Sequence, residues 1–337
     1  MSHLEIYPPY KFTGLGGGKT ISVKTRSRIE DHKVVLQANN SNNKVITAKG
    51  SRIILQGINS HPITLSNDAT GTRHKYHGQI VLSATTRGAL EVENLVSARD
   101  YITDVVASEA PLAAPIEMLK AQAILAQTIL LKHGSAVIGD STERQCYLGA
   151  DLERPAIKAA VSDVWGRMLT YMKSPIIAYY HSTCAGGTSD GSTYFHQPLG
   201  SLPYLTAVKC TYCKSSPFWK TTRKSIPRSL FTRVFGDGVP EILQSDDNFR
   251  PLFIKLADGT KLSGYDFWIK LGQSFGWDKA PGTRYSLEQG KNKEIIIESS
   301  GAGHGVGLCQ WGASALASKG RTYKEILHYY FPACNVK

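Results

Sequence analysis

The thirteen residues GAGHGVGLCQWGA, Gly301 to Ala313, set five glycines among a histidine, a cysteine, a glutamine and a tryptophan. Several chemistries use such runs. A dinucleotide fingerprint needs G-x-G-x-x-G followed by a helix and a strand, and no register of these glycines supplies it. A P-loop needs Gly-Lys-Ser/Thr, a nucleophile elbow needs G-x-S-x-G, and both are absent. Zinc would need more clustered ligands than His304 and Cys309. What remains is backbone that takes unusual dihedrals or passes close to another segment. It presents His304, Gln310 and Trp311 at a crossing from strand to helix. Imidazole and amide donors beside a flat aromatic suit a sugar-lined cleft, and the same residues suit a structural turn.

Three other clusters carry reactive side chains. His181, Ser182 and Thr183 stand where an apolar run opens into a polar, Gly-rich loop, HSTCAGGTSDG, a common place for functional groups. A thiol–imidazole pair of Cys184 with His181 is disfavoured, because residues three apart around a strand end rarely face each other. Cys210 and Cys213 form C-x-x-C, which is half a zinc site or a redox pair and has no clear second half. Metal ligation, a disulfide and free thiols all stay open for it. TGLGGGKT, Thr13 to Thr20, resembles a Walker A loop but has Thr13 where the first glycine belongs, and no apolar strand precedes it.

These groups need elements to hold them. From Ile21 to about Glu93, short apolar runs such as KVVLQ, RIILQG and GQIVLSA alternate with turn residues, including Asn39–Asn43 and Asp68–Gly71, so this part is expected to be β-rich. Ile116, Leu119, Ala123, Ala126 and Leu130 recur at helical spacing, with Met118, Leu125 and Ile129 as a second stripe. The pattern predicts a central buried helix over Pro115–Lys132, with Gly134 ending it and Glu109 in its approach. Glu117 falls in its first turn, where the helix dipole favours an acid. A strand is expected at Ile176–Tyr180, a hairpin turn at Asp258–Gly259, a strand at KEIIIESS running into the glycine motif, and two short helices at the end. The fold class expected is α+β: a β-rich front over 1–74, then a mixed lobe over 75–337 around the buried helix, with 205–295 as a second lobe and the glycine motif lining a cleft.

Composition sets the outer limits. The chain has 337 residues, 42% of them hydrophobic and 20% charged, as in globular domains. No run approaches the ~18 apolar residues of a membrane span. The opening residues show no basic-then-apolar leader pattern, which leaves internal location and a removed leader both open. Net charge is +12, from 39 basic and 27 acidic residues. That suits a polyanion such as an acidic wall polymer, or simply solubility. The basic residues are scattered and no nucleic-acid-binding motif occurs, so nucleic acid is not an expected partner. Six cysteines in this length do not make a disulfide scaffold.

Three ordered blocks resemble one family. GHGVGLCQWGASALASKGRTYKEILHYYFP is similar to the C-terminal signature of the stage II sporulation protein D family, G-H-G-V-G-M-S-Q-[YW]-G-A followed by Y-x-x-I-L-x-x-Y-Y-P. ASEAPLAAPIEMLKAQAILAQT is similar to its E-x-P-x-x-x-P-x-E-A-L-K-A-Q-A-x-A-A-R-T, and YYHSTCAGGTSDG to its F-H-S-T-x-G-G-x-T. The lead-in LVSARDYITDVV agrees as well. The blocks span about Lys75 to Pro332 and leave the first 74 residues uncovered.

Members of that family resemble lytic transglycosylases of peptidoglycan. The resemblance implies cleavage of the MurNAc–GlcNAc bond of glycan strands with formation of a 1,6-anhydro product. The glutamate of E-x-P, the acid/base, maps to Glu109. Its neighbours Ala107, Ala110, Pro111 and Leu112 make an apolar setting of the kind that raises a carboxyl pKa, as an acid needs. Gln122, Gln127, His181, Ser182, Thr183, Lys220, His304 and Gln310 are the expected substrate contacts. Gln127 departs from the pattern, standing where the family carries an arginine implicated in activity; an amide cannot supply that fixed charge. The alternative function is therefore a non-catalytic glycan-binding enhancer of a cell-wall amidase. Some members bind zinc near the element matching HGSAVIGDSTERQCYLG; here His133 and Cys146 remain, but Asp140 stands where a cysteine would help. No cofactor is expected beyond that incomplete zinc set, and no metal ligand is assigned. The expected location is the cell envelope.

Overall fold

The computed structural model describes, with side chains, residues 52–56, 61–65, 72–83, 90–134, 138–140 and 145–337; elsewhere before residue 90 it gives the backbone of strands only. The glycine-rich stretch 14–19, the turn residues 40–43 and 68–71, and positions 135–137 and 141–144 of the segment considered for zinc lie outside the described residues. The fold is α+β. Its helices are α1 (Ala98–Glu109), α2 (Ile116–His133), α3 (Pro155–Asp163), α4 (Gly191–Tyr194), α5 (Arg228–Phe235), α6 (Gly264–Phe275), α7 (Gln310–Ser318) and α8 (Tyr323–Tyr330). The chain divides into two compact units, Met1–Glu109 with Ser135–Trp165, and Ala110–Gly134 with Gly166–Lys337.

The first unit carries the β-rich front. One sheet runs in the order Val45–Gly50, Lys33–Asn39, Thr25–Glu30, Leu4–Tyr7, Ile63–Asn67, Thr72–Tyr76. Another runs Leu90–Leu95, Gln79–Ala84, Arg52–Gly57, Tyr10–Thr13, Thr20–Ile21. The pairings are antiparallel, for example Val81 opposite both Ile54 and Glu93. Alternation explains why Ile53 and Leu55 are buried while Arg52 and Gln56 are exposed, whereas Ile80, Val81 and Leu82 are buried on both faces of their strand. Helix α1 buries Tyr101, Ile102, Val105 and Val106. Tyr147 packs beside Tyr101 with ring centroids 5.2 Å apart.

The second unit is built around α2. The helix is apolar on all sides, and Met118, Leu119, Ala121 to Ala126 and Thr128 are buried. Pro115 is its N-cap, and Gly134 ends it in the left-handed region, φ 62°, with its N–H bonded to the Leu130 carbonyl. The C-terminal helices α7 and α8 pack on it. Glu117 accepts the Tyr323 N–H at 2.7 Å at the start of α8, and Lys120 at 2.8 Å. Its place in the first turn thus serves two helix N-termini. A second core in this unit gathers Phe231 and Phe235 of α5, Phe267, Trp268 and Leu271 of α6, and Ile295 and Ile297. The antiparallel strands Thr222–Ile226, Ile295–Ser300 and Arg284–Gln289 supply its sheet, within and just beyond the segment expected as a separate lobe.

The hairpin turns at Asp258–Gly259, between Pro251–Lys255 and Lys261–Ser263, as its D-G pair foretells. The strand expected at Ile176–Tyr180 reduces to a two-residue pairing, Tyr180–His181, parallel to Leu308–Cys309. Upstream of it the backbone groups take separate partners: Ile176 N–H bonds the Leu169 carbonyl, and Ile177 N–H bonds the Tyr204 hydroxyl. With no common neighbour there is no ladder.

Candidate functional site

Glu109 closes α1 as its last residue, so it ends one helix rather than merely approaching the next. Tyr101, Ile102, Val105, Val106 and Ala107 bury the preceding turns of α1, and the carboxyl at its end is half-buried. Its Oε1 accepts the Cys146 N–H at 2.6 Å. Ser108, beside it, accepts the Leu148 N–H at 3.2 Å, so the segment after residue 144 is tied to the end of α1 twice. A carboxyl at a helix C-terminus meets the negative end of the dipole, which opposes charge there, while the Cys146 N–H offsets that opposition. Burial, then Glu109 itself, pushes the Cys146 thiol up. Deeper in α1, Asp104 is fully buried; burial and then the Glu153 carboxylate push its pKa up to about 8. Glu153 pairs with His77 at 3.1 Å and with Lys158 at 2.8 Å.

The glycine motif belongs to the second unit, where it threads against the segment carrying His181. Gly301, Gly303, Gly305 and Gly307 all have positive φ, between 72° and 86°. Two show why glycine is required. A Cβ on Gly305 would sit 2.3 Å from Arg250 Nε, and one on Gly307 would sit 2.2 Å from the Tyr179 carbonyl oxygen. Arg250 is itself fully buried and donates to the Cys184 carbonyl at 2.6 Å.

Between these glycines, two imidazoles clamp one residue. His181 Nδ1–H donates to the Val306 carbonyl at 3.1 Å, and the Val306 N–H donates to His304 Nδ1 at 3.1 Å. His304 Nε2–H in turn donates to the Tyr180 carbonyl at 2.9 Å. This fixes His304 as the neutral Nε2–H tautomer with both ring nitrogens used. Burial, against the Tyr180 bond, lowers its pKa to about 4. Burial, then His304 and Arg250, holds His181 well below the ordinary histidine range. His181 Nε2 is buried and has no hydrogen-bond partner among the described residues.

The remaining expected contacts fall into two groups. Gln310, the first residue of α7, donates its amide to Gln122 Oε1 at 3.3 Å, and Gln122 Nε2 is buried with no partner among the described residues. Ser182 and Thr183 hydroxyls lie 3.3 Å apart, and Thr183 Oγ1 is 2.6 Å from Ser216 Oγ. The Ser182 carbonyl accepts the Trp311 N–H at 3.1 Å. The segment carrying His181, Ser182 and Thr183 is thus bonded through backbone to the segment carrying His304 and Gln310, and Gln310 reaches Gln122 on α2. Gln127 is elsewhere on α2: its Oε1 accepts the Gly166 N–H at 2.8 Å and its Nε2 donates to the Ala123 carbonyl at 3.2 Å. Lys220 is exposed on the loop before the strand Thr222–Ile226. Sequence reasoning passed over Arg250 and the companions of the C-x-x-C. Cys184, Cys210, Cys213 and Cys309 are all buried, with their sulfurs mutually within 4.8 Å. The legible signal was that Cys184 and Cys309 each sit inside a motif block.

Known proteins resemble this chain in sequence. Residues 86–171 match the SpoIID family, stage II sporulation protein. Stage II sporulation protein D of Bacillus amyloliquefaciens is 29% identical over 273 residues, covering 73% of this chain and 75% of that protein. The protein of the same name from Bacillus subtilis (strain 168) matches to the same extent. An amidase enhancer of Bacillus subtilis (strain 168) is 24% identical over 285 residues, covering 68% of this chain and 39% of that protein.

Proposed function

We propose that this chain, whose residues 86–171 match the SpoIID family, cuts peptidoglycan glycan strands as a lytic transglycosylase in the cell envelope. The observation that carries the reading is Glu109: a half-buried carboxyl, fixed by the Cys146 N–H at the end of a buried helix, inside the matched domain. The reaction needs one such group. The Glu109 carboxyl donates its proton to the oxygen joining MurNAc to GlcNAc, and that bond breaks. The carboxylate then takes the proton of the MurNAc C6 hydroxyl as O6 bonds to C1, which closes the 1,6-anhydro ring and restores the acid. No water is consumed, so the second carboxylate of ordinary glycoside hydrolysis has no task. His304, neutral and doubly bonded, holds backbone.

Digestion of stem-peptide-free glycan, read by mass spectrometry, tests this. Anhydro-ended fragments from the wild-type chain support it. Their absence, or full activity in Glu109→Gln, rejects it.

A second reading has its own observation. Gln127 stands where the resembled family has arginine, and its amide is spent on backbone at Gly166 and Ala123. A chain lacking that charge could bind strands and enhance a partner amidase without cutting; one relative bears the name amidase enhancer. This reading expects sedimentation with glycan that survives Glu109→Gln and is accompanied by no cleavage.

A further inference from the structure

We propose that Cys184, Cys210, Cys213 and Cys309 bind one zinc ion, which pins together the segments carrying the candidate sugar contacts. The four sulfurs lie mutually within 4.8 Å, and Cys184 and Cys213 sulfurs are 3.5 Å apart. Tetrahedral zinc with Zn–S bonds of ~2.3 Å sets its sulfurs about 3.8 Å apart, so the cluster already has the size of the coordination shell. A four-iron cube would hold its thiolates farther apart. All four residues have zero solvent exposure, so the site is closed, as structural zinc sites are.

The surroundings supply the donors a thiolate shell needs. The Cys184 and Gly312 N–H groups point at Cys309 Sγ, at 3.3 and 3.4 Å, and the Tyr330 hydroxyl is 3.2 Å from Cys210 Sγ. A neutral thiol is a weak acceptor, whereas a metal-bound thiolate is a good one, and such outer bonds orient the ligands. Gly312 lets the first turn of α7 come this close: a Cβ there would sit 2.1 Å from the Tyr330 oxygen and 2.8 Å from Cys210 Sγ. The pattern that this chain resembles has serine where Cys309 stands and no fixed residue where Cys184 stands, so the set is a property of this chain rather than of that pattern.

The ligands come from three places: the loop after Tyr180–His181, the C-x-x-C turn, and the N-cap of α7. Gln310 follows Cys309 directly, and Ser182 and Thr183 precede Cys184. Zinc would therefore fix these side chains without touching sugar, a positioning role.

The test measures metal, independent of any glycan activity. The full chain, purified under reducing conditions without chelator, is assayed for zinc and iron by plasma mass spectrometry, and its thiols by alkylation. Expected are about one zinc per chain, four thiols protected from alkylation until zinc is stripped, and thiolate-to-metal absorption bands on reloading with Co2+. Cys213→Ser should lose the bands, and Cys334→Ser, outside the cluster, should keep them. Should Cys213→Ser fail to fold, the wild-type zinc stoichiometry and the Co2+ bands still decide. No zinc in the wild type, iron in its place, or these cysteines recovered as disulfides would overturn the proposal.

Discussion

The two units spend their polar groups differently. In the first, Glu109 ends α1 half-buried, held by one N–H from a neighbouring segment. In the second, polar side chains are buried deep and most hold backbone: two imidazoles on Val306, Arg250 on Cys184, Gln127 on Gly166. The contrast teaches that a motif dense in reactive residue types can be chiefly architecture, while the group proposed for the chemistry is a single half-buried carboxyl. It also sets opposite pH responses. Asp104, raised to about 8, makes the first unit lose stability as pH rises from the ordinary carboxyl range toward 8. His304, lowered to about 4, and His181, also lowered, take up protons more readily when unfolded. The second unit therefore loses stability as pH falls from about 6.5 toward 4.

The largest effect should come from the glycine motif. Gly307→Ala puts a Cβ 2.2 Å from a carbonyl oxygen at φ 72°, and it should cost at least about 3 kcal/mol in urea unfolding. Gly134→Ala, also left-handed at φ 62° but with nothing within 4 Å, should cost about 1–2 kcal/mol. Equal costs would mean that the motif is no more constrained than a helix end. Next is Gln127→Ala, which removes the acceptor of the exposed Gly166 N–H and should cost about 0.5–1.5 kcal/mol; no loss of stability would mean that this bond does not hold the segment. Hydrogen exchange against pH should then separate the units. Protection of α1 should weaken between pH 5 and pH 8 in the wild type and stay level in Asp104→Asn, while that of the Val306 amide should weaken on acidification. A common trend in both regions would dissolve the contrast. Smallest is the stability change of Glu109→Gln, expected within about 1 kcal/mol by thermal melting, because the amide oxygen can still accept the Cys146 N–H.

Much of this organisation was legible in the chain. Helix α2 could be read because its apolar residues recur all around, and its ends are marked by Pro115 and Gly134. The D-G turn at 258–259 and the close of the chain as α7 and α8 were legible for the same local reason. The expected strand at Ile176–Tyr180 failed because β-branched apolar residues set a preference, whereas pairing needs a neighbour that the sequence does not name. Helix α1 was hidden because its buried face includes Asp104 and Thr103, which blur the apolar period. That the four cysteines meet was not legible, although two of them lie in motif blocks, for a third reason. They are 26, 3 and 96 residues apart along the chain, and only the fold brings them together. The clamp on Val306 likewise joins histidines 123 residues apart.

The central claim is that Glu109 cleaves glycan by internal ring closure. Its most direct test is digestion of denuded glycan strands in water enriched in oxygen-18, with products weighed by mass spectrometry. The wild-type chain should give 1,6-anhydro ends carrying no heavy oxygen, and Glu109→Gln should give none. Reducing ends that carry one heavy oxygen atom, or anhydro ends undiminished in Glu109→Gln, would contradict it.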